Sequence, residues 1–369
     1  MSCKSLYAAV AALALAFAAC TQVEPIGSGI SLKEGSDAAP EAIALMPLTY
    51  TPTKSIITGT AFPDTSTIVA AAWFNPNTGA TGSDVKYFDN YTFKKGQGLL
   101  QADNAKWGAD KTAYWPVMGS LCIMAFRPDT TSNNVTPTWT DSTTLKLKIA
   151  NLRDDQDILV GANRDARKGA DAITFYHLNS LIEVKVKSSQ DFTTQSGDSH
   201  PSGIELLGVT IDSVYTTIND FTATRTDGAN TFTYTGSASG DYNTLTILDK
   251  AVGTDSVRLS TTARTVNGET NKPWDNSKTE PGKRVIVLSQ TPHSMTIYYK
   301  LYNGGSATGS PELKCNGIPL KVSDEESSNV WSAGKKYVYT VTVNADKITI
   351  TPSVHEWTDQ SKDVTVESH

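Results

Sequence analysis

Short runs of alternating apolar and polar residues, each closed by a turn signal, recur along almost all of this 369-residue chain. In one of them Ile182, Val184 and Val186 alternate with Glu183, Lys185 and Lys187, the period of a half-buried strand. Further runs lie at Ile43 to Tyr50, Thr67 to Phe74, Val85 to Phe93, Leu121 to Phe126, Thr144 to Ile149, Asp157 to Gly161 and Ala172 to His177. They resume at Ile204 to Ile211, Thr231 to Thr235, Asn243 to Leu248, Ser256 to Ser260, Lys283 to Leu288 and Met295 to Tyr302. The clearest hairpin comes last: Tyr337, Tyr339, Val341 and Val343 alternate, Asn344 to Lys347 turns the chain, and Ile348 and Ile350 begin the return. No segment sustains a helical apolar period, so helix is scarce. The runs predict an all-β chain of two tandem antiparallel β-sandwich domains.

The polar stretch from Lys187 to Gly203 divides the runs, placing an N-terminal sandwich at 55–192 and a C-terminal one at 193–369. Polarity is carried largely by Thr, Ser, Asn and Gly, a composition suited to extracellular strands and turns. A net charge of −6 without a basic stripe argues against a nucleic-acid partner.

The start of the chain is an address. Lys4 supplies a positive charge, Leu6 to Phe17 an apolar core too short to stay in a bilayer, and Ala18-Ala19 the small residues ahead of Cys20. That is a bacterial lipoprotein signal over 1–19, with Cys20 the residue to be acylated and 20–54 a lead ahead of the first domain. A diacyl thioether plus an N-acyl chain holds a protein to a membrane far better than one fatty chain does. Cys122, inside an apolar run, and Cys315, ahead of a turn at Asn316-Gly317, read as separate thiols rather than a bridge.

Enzyme chemistry finds little purchase. The five histidines are scattered, and no zinc spacing, phosphate loop, nucleophile elbow or dinucleotide fingerprint appears, so neither metal nor cofactor is expected. Asp154, Asp155 and Asp157 lack the glycine and distal glutamate of a calcium loop and read as a solvated turn. Trp107, Tyr114 and Trp115, followed by Pro116, either begin a core strand or form a sugar-stacking platform. The core is the favoured reading.

Several segments, in order, carry a resemblance. They are the Cys20 lipobox; Thr53-Lys54-Ser55-Ile56-Ile57-Thr58-Gly59-Thr60-Ala61-Phe62; Lys111-Thr112-Ala113-Tyr114-Trp115-Pro116; and Asp157-Ile158-Leu159-Val160. Then come Ile173-Thr174-Phe175-Tyr176-His177-Leu178-Asn179-Ser180-Leu181, Trp331-Ser332-Ala333-Gly334-Lys335-Lys336-Tyr337 and the closing Val354-His355-Glu356-Trp357. Together these resemble the fimbrillin family, lipoprotein pilins of Bacteroidales type V pili. The resemblance implies two transthyretin-like β-sandwiches and a pilus subunit at the cell outer membrane and in a surface fimbria. It further implies that a protease cuts after a basic residue ahead of the first domain. The N-terminal strand then leaves, and a strand of another subunit, usually its C-terminal arm, fills the groove.

The residues supply matching parts. Ile43 to Tyr50 is an apolar strand just ahead of Lys54, and cleavage there makes Ser55 the new N-terminus. Family members commonly carry Arg at that place. Ile348, Ile350, Val354, Trp357, Val364 and Val366 offer an insertable face. Four or five such side chains contribute roughly 6–15 kcal/mol gross, before ordering costs. Expected partners are other fimbrial subunits through strand exchange, the outer membrane through the precursor's lipid, and host or bacterial surface receptors. The rival is a monomeric surface-exposed glycan-binding lipoprotein with Trp107, Tyr114 and Trp115 as its platform.

Overall fold

The computed structural model describes residues 41–49, 62, 64, 66–76, 85–97, 106–127, 134–152, 156–190, 202–226, 228–248, 257–266, 285–303, 311–322, 329–344 and 347–356. Every regular element among them is a strand. β1 (Ala44–Thr49), β2 (Thr67–Asn75), β3 (Lys86–Lys95), β4 (Trp107–Ala109) and β5 (Ser120–Arg127) belong to a barrel. β6 (Val135–Trp139) and β7 (Thr144–Ile149) leave it, and β8 (Leu159–Ala166) and β9 (Ala172–His177) return to it. Around the closed barrel the order is β1-β4-β3-β2-β5-β8-β9, and β9 meets β1 in a parallel pair.

β10 (Ser180–Lys187), β11 (Ser202–Tyr215), β12 (Ile218–Arg225), β13 (Phe232–Thr235) and β14 (Tyr242–Leu248) follow. The rest are β15 (Val257–Arg258), β16 (Arg264–Thr265), β17 (Val285–Val287), β18 (Ser294–Asn303), β19 (Glu312–Pro319), β20 (Lys335–Val343) and β21 (Ile348–Glu356). One sheet runs β16-β10-β20-β21 with β17 on β10; its opposite runs β14-β11-β18-β19 with β15 on β11. Between them Val184, Ile211, Ile297, Trp331, Tyr337 and Tyr339 make the core of a two-sheet sandwich.

The first unit is built differently from two facing open sheets. Its main sheet closes on itself, with Phe93, Ile123, Ala125 and Phe175 inside. A four-stranded sheet, β13-β12-β7-β6, covers one wall, burying Trp73, Met124 and Phe126 against Leu145, Leu147 and Phe221. β5 therefore packs on both faces, and all eight of its residues are buried. That double burial explains its continuous apolar run.

Strand pairing does not follow the division at 192/193. β10, ahead of it, lies in the sandwich between β17 and β20, while β12, behind it, pairs with β7 on the barrel's cover. The polar stretch marks a local change in composition, whereas pairing is chosen by distant strands. Two turn readings also change. Asn316-Gly317 lies inside β19, where Gly317 at φ 65° stands between the Ile318 and Cys315 pairings at a shift in register. Asp157 is buried rather than solvated, its Oδ1 2.9 Å from His177 Nδ1. Asp154 and Asp155 lie outside the described residues. Cys122 and Cys315 are free thiols, in β5 and β19.

Candidate functional site: the seat of the first strand

Alternation makes the first strand amphipathic. Ile43 and Leu45 turn inward, 1% and 0% exposed, and join the barrel core; Pro47 is buried too, while Leu48 faces out. On one side Ala44 stands opposite Gly108 and Leu45 opposite Trp107, antiparallel. Ahead of them the Ile43 amide donates to the Ala113 carbonyl at 2.8 Å, and the Trp115 amide donates to the Glu41 carbonyl at 3.0 Å. On the other side the strand runs parallel to β9, from Met46 opposite Ala172 to Thr49 opposite Phe175. The Met46 amide donates to the Asp171 carbonyl at 3.1 Å. By alternation the nitrogen of Pro47 faces the β4 side, past the last β1–β4 pair, so proline removes no ladder bond there.

Charges brace the seat. Lys106, next to β4, reaches the carboxylate of Asp171, next to β9, at 2.7 Å, joining the two walls beside Leu45 and Met46. Lys168 holds Glu41 at 2.5 Å where the chain leads into β1. Asp171 is buried, which makes its pairing matter more than an exposed ion pair would.

Trp107, Tyr114 and Trp115 do come together, as the wall of this seat. Trp107 is 3% exposed and donates its indole N–H to the Ser66 carbonyl; Trp115 is 8% exposed in the same core. Tyr114 bridges to Ala42, and its carbonyl accepts the Tyr87 hydroxyl at 2.8 Å. Indoles packed inside a barrel offer no face to a sugar ring, which removes the platform. Sequence reading missed the other half of the wall. Gly108, Ala113, Asp171 and Ala172 act through backbone groups and a single carboxylate, which carry no motif.

The C-terminal arm lies in β21, the outer strand of its sheet, paired with β20 from Lys335–Glu356 to Val343–Ile348. Asn344 donates to the Lys347 carbonyl at the predicted turn. Ile348, Ile350 and Val354 are half-buried against the sandwich core. Across that sheet's outer face Lys336 contacts Glu183 at 2.6 Å, with Lys185 at 3.5 Å. Burial would raise the Glu183 carboxyl, but the two ammonium groups hold it below the usual range. Burial, with Lys336 and Lys185 close by, lowers the His355 imidazole. Cys20, Lys54, Ser55, Trp357, Val364 and Val366 lie outside the described residues.

The sequence profile described as fimbrillin-like matches residues 57–357. Among solved structures, a fimbrial protein from Bacteroides vulgatus aligns at 14% identity over 85% of this chain and 99% of its own, with a TM-score of 0.54. The fimbrial anchor protein Mfa2 from Porphyromonas gingivalis aligns at 11% identity over 86% and 98%, TM-score 0.33. The tip fimbrial protein Mfa3 from the same organism, truncated at its C-terminus, aligns at 9% over 85% and 100%, TM-score 0.33. No curated protein matches the chain.

Proposed function

The chain belongs to the fimbrillin-like family, which is structural rather than enzymatic, and from that premise we propose that it is a fimbrial subunit polymerising by strand exchange. The precursor reaches the outer membrane as a lipoprotein acylated at Cys20. Cleavage after Lys54 separates residues 20–54, β1 included, from the chain that begins at Ser55. β1 then leaves, and the C-terminal arm of another subunit takes its place between β4 and β9. A groove at one place and a donor at another make a heterologous contact that propagates as a filament. A subunit with both is a stalk subunit first and a tip subunit second.

The observation that carries this reading is the seat of β1. The last strand ahead of Lys54 is a stave of the barrel, bonded along both edges and with its inward side chains in the core. Losing it unfilled would open the edges of β4 and β9 and wet the barrel interior, so replacement is favoured over departure.

Trypsin treatment of the purified precursor tests it. Clipping that leaves Ser55 at the N-terminus, followed by SDS-resistant ladders, supports the reading. A clipped product that stays monomeric at high concentration counts against it. Removal of residues 346–369 should abolish the ladders.

A further inference from the structure

β1 and β21 are written in the same pattern although they lie in different sheets. With the residue that leads into it, β1 reads Ile43-Ala44-Leu45-Met46-Pro47-Leu48-Thr49, and β21 begins Ile348-Thr349-Ile350-Thr351-Pro352-Ser353-Val354. Aligned on their isoleucines, the inward positions match as Ile with Ile, Leu with Ile and Pro with Pro. The proline is the telling coincidence. In β1 the ladder to β4 ends at Leu45–Trp107, so the position held by Pro47 asks for no amide on that side. A slip of one residue would put Thr349 and Thr351 into the core. A slip of two one way would put Pro352 where Leu45 now faces Trp107, and a slip of two the other way would bring Asp346 to the inward position of Ile43.

Resting on the strand-exchange reading, in which the arm of another subunit fills the slot, we propose the register it takes: the incoming β21 lies in β1's own direction, with Ile348 in place of Ile43, Ile350 in place of Leu45 and Pro352 in place of Pro47. The register also places the donor's body. β20 ends at Val343, and the five steps to Ile348 span at most about 18 Å, so the donor arrives at the Glu41 end of the slot. There, two residues beyond the Trp115 amide that bonds Glu41, Val117 and Met118 stand 74% and 71% exposed. The arriving subunit covers them.

Disulfide trapping in the trypsin-processed full chain reads the register, with Cys315→Ser as background. Thr174 stands opposite Leu48 on β9, and Ser353 holds the Leu48 position of the incoming strand. Thr174→Cys with Ser353→Cys should give covalent ladders under oxidation, whereas Thr174→Cys with Thr351→Cys or with His355→Cys should not. Trapping at Thr351 or His355 instead overturns the register while strand exchange stands. Absence of ladders in the Cys315→Ser parent overturns both. Val117→Ser with Met118→Ser, both exposed and neutral to folding, should slow ladder growth about tenfold. Unchanged growth would remove the docking surface.

Discussion

Leu45 and Trp107 stand opposite each other across the β1–β4 pair, and both side chains lie in the barrel core. One belongs to the strand proposed to leave, the other to the wall that stays. On that proposal the indole receives the replacing strand, and its burial is what a sugar platform could not tolerate. Trp107→Ala should cost about 3–5 kcal/mol in urea unfolding, because the cavity opens directly under β1. Retardation on polysaccharide gels should be absent in both forms. A variant of unchanged stability would show that the indole is not structural.

Gly161 in β8 faces Phe175 in β9, and a Cβ there would lie 2.9 Å from the ring and 2.9 Å from the Ile173 methyl. Phe175 packs edge-on against Phe62 and stands opposite Thr49, so the ring has little room to retreat. Gly161→Ala should destabilise by about 1–3 kcal/mol and speed loss of the clipped N-terminal segment. An unaltered urea midpoint would show that the barrel can give.

Trp331 and Tyr339 are both fully buried in the sandwich, and the indole N–H donates to the phenol oxygen at 2.7 Å. Burial holds the phenol well above its ordinary range, so it stays neutral at any working pH. Tyr339→Phe keeps the ring but leaves the indole without an acceptor, at about 1–3 kcal/mol. Calorimetry should show the loss; equal melting temperatures would contradict it.

The arm should loosen in mild acid. Docked β21 places His355 near Lys336 of β20 and Lys185 and Glu183 of β10, with the Ser353 hydroxyl 3.2 Å from Nε2. Its folded imidazole is lowered from 6.5, so the docked state favours the neutral ring. Docking is then firmest above about pH 6.5 and weakens as pH falls towards the folded value. Glu183, lowered from 4.5, adds its own loss only below that pH. Amide exchange along β21, corrected for intrinsic rates, should rise between these limits and flatten in His355→Gln. The same slope in both proteins would exclude the histidine.

A chain cut at 192/193 should give no folded halves. Residues 55–192 lack the β12 partner of β7 and carry β10 without β20, while 193–369 lack β10 at the centre of its sheet. Well-dispersed NMR spectra from either fragment alone would contradict this.

Most strands were legible because their pattern is local. The β20–β21 hairpin is visible in its alternating tyrosines and valines, and β1 in its apolar residues ahead of Lys54. β12 was not, because Asn219-Asp220 interrupts its alternation at a register shift between Ile218 and Phe221. β4 is three residues long, and β6 holds a proline. At the candidate site, the apolar strand ahead of Lys54 and the half-buried arm could be read; the wall that receives β1 could not.

The sequence by itself determined an all-β chain, the turn of its closing hairpin, its alternating faces and the fimbrillin-like kinship. The tertiary structure decided partners: that β1 sits between β4 and β9, that β10 and β12 join sheets across the apparent boundary, and that Trp107 and Trp115 face inward. The reason is physical. Alternation and turn chemistry are properties of neighbouring residues, whereas the amides and carbonyls of a strand edge are the same in every strand. Which edge meets which is chosen only when distant side chains pack.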